Sequence, residues 1–475
     1  MSLNAKSSKT LPFYLFVIGA FLILISPEIL SEGMFIDGLF YSTISNNLAH
    51  GIGTFWNRQF TATTFTQFNE HPPLAFGLQS LFITLFGDSS YVDKIYSITT
   101  YVITGCILLN IWKTLGYRHG WLPLLCWFSI PLVSWACKNN VLENTMMIFT
   151  TLSVLFYLKS LKSNRFFYVL LSGLMLALGF LTKGFVAFFP WTFPFFWWLL
   201  SRQKSFREML TDSIGIFLFT VLPLVTLIIL SPEARLSLNK YINNQVLYSL
   251  KNIVAVNSRF FIVKKLFMEL IPVIGLSLLF IGAGWRKKFP FTTLKSYYKK
   301  AGVFILLGLA GVLPVMISMK QSGIYILTAF PFFAIGAAIL LYPLAAFFLD
   351  TINYRSKKFL LFKFTGYGLF FIGLLLCLYF ANHIGRDKNK IQDTHLILSK
   401  ISYGSTVNVV PDLWWDWSLQ GYFARFKNVS LDSNLANKRA YLIIKNENLP
   451  DSILKNYTKI ELQTTEYKLY QTRSR

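Results

Sequence analysis

Charge is scarce in this sequence, and negative charge is scarcer still. Only 14% of the 475 residues are Asp, Glu, Lys or Arg, where a soluble protein carries about 25%. A water-soluble fold of this size is thereby excluded. Acidic residues number 21 against 45 basic ones, for a formal net charge of +24. Such an excess would suit nucleic acid, but the Lys and Arg residues fall in short clusters between apolar runs, so no nucleic-acid partner is expected. The four cysteines, at 106, 126, 137 and 377, all lie inside apolar stretches without pairing or metal-ligand spacing. They read as apolar filler, and neither a disulfide framework nor a zinc site is expected. Internal repeats and low-complexity segments are missing too.

What the chain has in their place is apolar length. Runs of 17 to 25 residues recur, which is the length of a membrane-crossing helix. The first, "LPFYLFVIGAFLILISPEIL", is too long for a signal peptide and is followed by no small-x-small cleavage site, so it reads as a retained span. Basic residues beside span ends stay cytoplasmic. Six clusters therefore belong on one side: Lys6/Lys9, Lys113/Arg118, Lys159/Lys162/Arg165, Arg202/Lys204/Arg207, Arg286 to Lys300, and Arg355/Lys357/Lys358/Lys363. That holds only if "PPLAFGLQSLFITLFG", at about 15 residues short for a crossing, is an interfacial or re-entrant helix. Eleven spans then remain: 12–30, 95–112, 120–137, 145–161, 166–182, 184–200, 210–230, 265–284, 301–318, 323–348 and 360–382. The expected architecture is an all-α polytopic membrane protein of about 11 transmembrane helices plus interfacial helices, over residues 1–383. Residues 384–475 turn polar and alternate in runs such as "STVNVV" and "RAYLIIKN", the pattern of a small extracytoplasmic α/β or α+β domain.

Charge inside a membrane is a functional signal, and the spans carry almost none: Asp212 at an inner end and Glu269 about one turn from an outer end. The conspicuous polar groups gather at the outer surface, and each has two readings. Asp37 in "SEGMFIDGLFYSTISNNLAHG" is either a helix N-cap or a general base, roles that Glu32 shares. Glu143 in "VLENTMMIF" is either an acid favoured by a helix dipole or a second active-site carboxylate. In "QFNEHPPLAF", capping accounts for Glu70, Pro72 and Pro73 but not for His71, which an anionic ligand would explain. Lys320 and Tyr325 in "MKQSGIYIL" are either interfacial anchors or ligands. A proton- or ion-coupled transporter would concentrate such groups near the midplane.

Five stretches, in order along residues 12 to 345, resemble the GT-C glycosyltransferases of the protein O-mannosyltransferase and aminoarabinose (lipid A) transferase type, which use polyprenyl-phosphate sugars. "IDGLFYSTISNNLAHG" is similar to the family's first acidic motif, "NEHPPLAFGLQSLFITLFG" to its Glu-Lys-Pro-Pro-Leu segment, and "VLENTMMIF" to its second acidic motif. "LGFLTKGFVAFFP" and "MKQSGIYILTAFPFFA" resemble its Leu-Thr-Lys-Gly and Lys-x-x-x-Tyr stretches. The resemblance implies the GT-C fold in a bacterial plasma membrane, with the site and the C-terminal domain extracytoplasmic. It assigns Asp37 to the catalytic acidic position, as the base, and Glu143 to the second acidic position, with Glu70, His71, Lys183, Lys320 and Tyr325 around the donor phosphate. Its implied activity is transfer of a sugar from a polyprenyl-phosphate donor to a lipid, glycan or protein acceptor, by inverting single displacement. A lipid-linked-sugar flippase and a surface-polysaccharide polymerase or ligase are the alternatives. Two departures stand out. The family usually has Lys where His71 stands, which would make a phosphate contact there depend on pH. Some relatives hold a metal through a His of a later outer loop, but residues 231–263 contain no His, so no residue is assigned to a metal or other cofactor.

Overall fold

In a membrane the backbone of each apolar run must satisfy its own hydrogen bonds, and helices dominate the chain as far as residue 398. The computed structural model describes residues 2–445 and 455–473, with side chains from residue 10 onward. The side chains of Lys6 and Lys9, and the last residue of the expected strand at 439–446, lie outside these. The helices run α1 Ser2–Ile29, α2 Ile36–Ala49, α3 Leu74–Phe86, α4 Val92–Thr114, α5 Trp121–Phe128, α6 Pro131–Cys137, α7 Leu142–Ser160, α8 Arg165–Lys183, α9 Phe193–Ser201, α10 Phe206–Leu230, α11 Pro232–Lys240, α12 Tyr248–Asn252, α13 Phe261–Arg286, α14 Lys295–Val312, α15 Phe330–Thr351, α16 Lys357–Phe380 and α17 Lys388–Leu398.

Among the described residues eight helical stretches are long and apolar enough to cross a membrane, or nine if α6 and α7, bent by 116°, form one crossing. Three of the eleven expected spans are not among the eight, two of them because they are interrupted. The stretch 120–137 breaks where Pro131 starts a new helix, since proline cannot continue the preceding ladder. The stretch 145–161 is α7, entered through the bend. The stretch 184–200 opens as a tight 3₁₀ run, Phe185–Thr192, that contains Pro190 and then continues as α9. Helix α3 has 13 residues, about 20 Å of helix. It buries Ala75, Phe76, Gln79 and Ile83 and exposes Leu81, Leu85 and Phe86, as an interfacial helix does.

Residues of four of the basic clusters and their flanks meet one another or common partners. Arg165 and Lys204 both bind Asp212, at 2.6 and 2.5 Å. Lys162 donates to the Thr114 carbonyl, and Lys300 lies 5.7 Å from the Tyr117 ring. Glu269 serves the fold itself. Its Oε2 accepts from the Leu132 N–H at 2.7 Å, and its Oε1 pairs with Lys265 at 2.8 Å. It thus satisfies an orphan donor in the first turn of α6. Cys126, Cys137 and Cys377 are buried, and Cys106 is exposed; all four are free thiols.

The C-terminal part has two more helices, α18 Pro411–Trp414 and α19 Trp417–Lys427, and five strands: β1 Thr406–Val409, β2 Ser430–Asp432, β3 Tyr441–Lys445, β4 Tyr457–Ile460 and β5 Tyr467–Thr472. They form one mixed sheet of order β2-β1-β3-β5-β4, with β1 parallel to β2 and β3, and β5 antiparallel to β3 and β4. Ile397, Leu419 and Phe423 pack on Val407, Leu442 and Leu469 to make its own core. This small α/β unit rests on the loop after α1. Helix α19 lies on α2, where Leu39 meets Gly421, and Thr63 Oγ1 donates to the Leu431 carbonyl at 2.6 Å.

Candidate active site

The segment that carries Asp37 is held from below by the α6–α7 turn. The Phe35 N–H donates to Asn139 Oδ1 at 2.7 Å. A Cβ on Gly38 would stand 1.8 Å from the Asn139 carbonyl oxygen, so glycine alone lets α2 start there. The N-cap position is Phe35, and among the described residues no side-chain hydrogen bond engages the Asp37 carboxyl. Capping therefore does not explain Asp37. Its carboxyl is raised above the usual carboxylate range by burial, against the pull of Lys183 and Lys320.

The loop containing "NEHPP" is organised by Arg58, which sequence reasoning missed. Arg58 is 1% exposed and donates to three carbonyls: Phe55 at 2.9 Å, Phe68 at 3.1 Å and His71 at 2.7 Å. Burial brings its guanidinium down to about 9, still cationic at neutral pH. Pro72 and Pro73 precede α3, whose first turn contains no acid, so Glu70 is not its cap. Burial raises the Glu70 carboxyl; Lys320 opposes this and Asp37 adds to it. His71 Nε2 lies 3.1 Å from the Tyr41 hydroxyl. Burial, then Lys183, Lys320 and Arg58, hold the imidazole well below its usual value. The site thus contains a neutral His71 rather than a cation.

Glu143 lies in the first turn of α7 and is 1% exposed. Its Oε1 takes the Lys183 ammonium, and its Oε2 has no partner. Lys183 ends α8 and lies 5.4 Å from the centre of the Tyr325 ring. Gly184 follows at φ +86°, and a Cβ there would meet the Tyr241 hydroxyl at 1.8 Å. Tyr241 in turn donates to the Lys183 carbonyl at 3.3 Å. Lys320 donates to Ser249 Oγ at 3.1 Å, and burial pulls its ammonium below the usual lysine range, against Glu70.

These groups meet at a groove of about 530 Å³. One end is polar, formed by His71, Glu143, Lys183, Ser249, Lys320 and Tyr325; the rest is apolar, including Phe185, Phe188, Phe189, Leu250, Pro314 and Val315. A second opening, about 360 Å³, is lined by Gln67, Asn69, Glu70, Lys240, Asn244 and Gln245. Gln245 lines both cavities. It belongs to a single π-helical stretch, Tyr241–Leu247, a widened turn that is frequent at functional sites. Neither Tyr241 nor Gln245 carried a sequence signal, because their part in the site depends on that turn folding over α8. Asp37 lies off the groove lining and reaches Lys183 and Lys320 through its field. Among the described residues no three His, Cys, Asp or Glu side chains form a metal-binding group. Two lysines stand among the three carboxylates, a donor set that does not suit a divalent cation.

Residues 70–232 match the family described as dolichyl-phosphate-mannose-protein mannosyltransferase. Over 187 residues the chain is 24% identical to undecaprenyl phosphate-alpha-4-amino-4-deoxy-L-arabinose arabinosyl transferase 1 of Proteus mirabilis (strain HI4320), covering 38% of this chain and about a third, 32%, of that protein. The fold is similar to the crystal structure of ArnT from Cupriavidus metallidurans bound to undecaprenyl phosphate, with a TM-score of 0.68 at 15% identity, over 96% of this chain and 97% of that one. It is also similar to the Archaeoglobus fulgidus oligosaccharyltransferase tethered to an acceptor peptide, with a TM-score of 0.52 at 12% identity, over 90% of this chain and 64% of that one. The protein is thus a multi-span membrane protein with the GT-C glycosyltransferase fold, similar over residues 70–232 to the dolichyl-phosphate-mannose-protein mannosyltransferases.

Proposed function

We propose that the protein is an integral-membrane glycosyltransferase that moves a sugar from a polyprenyl-phosphate donor to an extracytoplasmic lipid, glycan or protein acceptor. Its catalytic part would be residues 1–383, in a bacterial plasma membrane, with residues 384–475 on the outer side. One observation carries the reading: a single groove joins two lysines, an imidazole and a tyrosine to a long apolar wall. That is the shape and polarity of an anionic headgroup with an isoprenoid tail.

In the proposed reaction the acceptor oxygen attacks the anomeric carbon from the face opposite the phosphate. The bond from that carbon to the phosphate oxygen breaks, and its electron pair stays on the polyprenyl phosphate. Lys183 and Lys320 stabilise the growing negative charge where it develops, with Tyr325 and the neutral His71 as hydrogen-bonding neighbours. Asp37 takes the acceptor proton; its raised pKa makes it a stronger base than an exposed aspartate. Glu143 uses Oε1 to fix Lys183 and leaves Oε2 for a hydroxyl or amino group of the sugar. Glu70 lines the second opening and not the groove, so it would face the acceptor side rather than the donor phosphate around which the resemblance places it. The displacement inverts the anomeric centre.

The test is purified protein in proteoliposomes with a radiolabelled undecaprenyl-phosphate sugar, scored for label moved to membrane glycoconjugates. The comparison is with label that only crosses the bilayer. Transfer that depends on Asp37 supports the reading; translocation without transfer overturns it in favour of a flippase. Mass analysis of lipids, polysaccharides and proteins from a deletion strain identifies the acceptor class.

A further inference from the structure

Arg425, near the end of α19, belongs to the C-terminal unit but is buried against the membrane unit, 6% exposed. Nη1 binds Asp88 Oδ1 at 2.8 Å, and Nε binds Asp93 Oδ2 at 2.8 Å. The contact continues inward. The other Asp93 oxygen accepts from Gln79 Nε2 at 2.8 Å, and Gln79 Oε1 accepts from both Asn140 Nδ2 and Ser45 Oγ at 3.2 Å. Asp93, Gln79 and Asn140 are 2%, 3% and 4% exposed.

The chain of bonds ends at the two elements that carry the proposed acids. Ser45 is on α2, two turns beyond Asp37. Asn140 sits in the 116° bend between α6 and α7, at φ +47°, three residues before Glu143. Asn enters that region more readily than most residues, so what fixes this turn is the bond its side chain makes. Here the Gln79 amide oxygen holds it, Asp93 orients Gln79, and Arg425 pairs with the buried Asp93. Docking alone would be served by the outer Arg425–Asp88 pair, with no need for further side chains reaching inward.

We propose that Arg425 is a positioning residue: through Asp93, Gln79 and Asn140 it holds the α6–α7 turn, and hence Glu143 with its partner Lys183, in register with Asp37. This rests on the glycosyltransferase reading for its kinetic consequence only. The C-terminal unit is then part of the active-site scaffold, because the site reaches its geometry only when that unit is seated.

The test is a double-mutant cycle on the full chain in nanodiscs, with Arg425→Met, Gln79→Leu and the pair. Undecaprenyl phosphate is the probe. Its binding stoichiometry counts folded sites, its affinity reads Lys183, and sugar transfer is expressed per binding site. Each single change should weaken undecaprenyl phosphate several-fold at full stoichiometry. Each should slow transfer per site by about 10- to 100-fold, the effect of an ångström-scale misplacement. The double variant should be no worse than the poorer single one, since both cut one chain. Arg425→Lys should recover part of the loss. Thr63→Ala, which removes a different contact between the two units, should stay near wild type per site. Reduced stoichiometry with wild-type affinity and rate per remaining site would mean that Arg425 only stabilises the fold, and multiplicative losses would mean that no relay exists; either overturns the proposal. A wild-type protein that binds undecaprenyl phosphate but transfers no sugar would sink the transferase reading instead, and the affinity cycle would still decide the relay.

Discussion

His71 Nε2 and the Tyr41 hydroxyl stand 3.1 Å apart, a contact that suits a neutral imidazole. A buried imidazole ringed by Lys183, Lys320 and Arg58 stays neutral, so it exchanges a hydrogen bond with Tyr41 instead of adding a third cation beside the two lysines.

The apparent donor affinity should therefore show no loss traceable to His71 between about pH 6.5 and 9, because a group whose pKa is depressed below about 6.5 is already deprotonated across that window. His71→Lys should impair binding, since it forces another cation into the same enclosure. Initial rates against donor concentration over pH 6–9 check this. An alkaline loss in the wild type that the Lys variant abolishes would restore the cationic reading.

Asp37→Asn should lower transfer by about 10²- to 10⁴-fold, the usual cost of losing a general base, with membrane insertion unchanged. The raised Asp37 pKa fixes the sign of the pH effect. The base works only when deprotonated, so activity should fall on acidification at a pH above the ordinary aspartate value of about 3.9. The rate–pH profile measures it, and a variant within a few-fold of wild type would remove Asp37 from the chemistry.

Lys320→Met and Glu143→Gln should separate binding from transfer. A charged hydrogen bond contributes about 1.5–3 kcal/mol, so loss of Lys320 should weaken undecaprenyl phosphate roughly 10- to 100-fold. Glu143→Gln keeps a polar partner for Lys183 and should bind within a few-fold of wild type while transferring slowly. Equal effects of both changes on binding and on transfer would count against distinct roles.

Gly184→Ala should destabilise the protein by about 1–3 kcal/mol from backbone strain, and by more if Tyr241 cannot move, because the new methyl would overlap its hydroxyl. The same shift should displace Lys183, so thermal stability and undecaprenyl phosphate affinity should fall together.

Orientation is tested by impermeant thiol labelling of whole cells after the native cysteines are replaced. Cysteines at Thr66, Asn243 and Asn437 should react, and those at Ser163, Gln203 and Ser296 should not. Labelling at Ser163 together with protection at Asn243 would invert the assigned topology.

Much of the helical frame was legible in the sequence, since a run of apolar residues can satisfy its backbone in lipid only as a helix. The short α3 and the strands β1, β3, β4 and β5 follow from patterns written along the chain, and of the seven site residues singled out there, His71, Glu143, Lys183, Lys320 and Tyr325 line one groove. The interrupted spans at Pro131 and Pro190 were harder to read, because hydropathy averages over a break that one or two residues impose. Tertiary structure alone decided the charge of His71, the free oxygen of Glu143, the anchoring of the first loop by Arg58 and the reach of Arg425 to Asn140. Each depends on how far a group is withdrawn from water and which distant charges face it. Those quantities arise only once the chain is packed, whether across the 13 residues from Arg58 to His71 or the 332 from Asp93 to Arg425, and no local pattern encodes them.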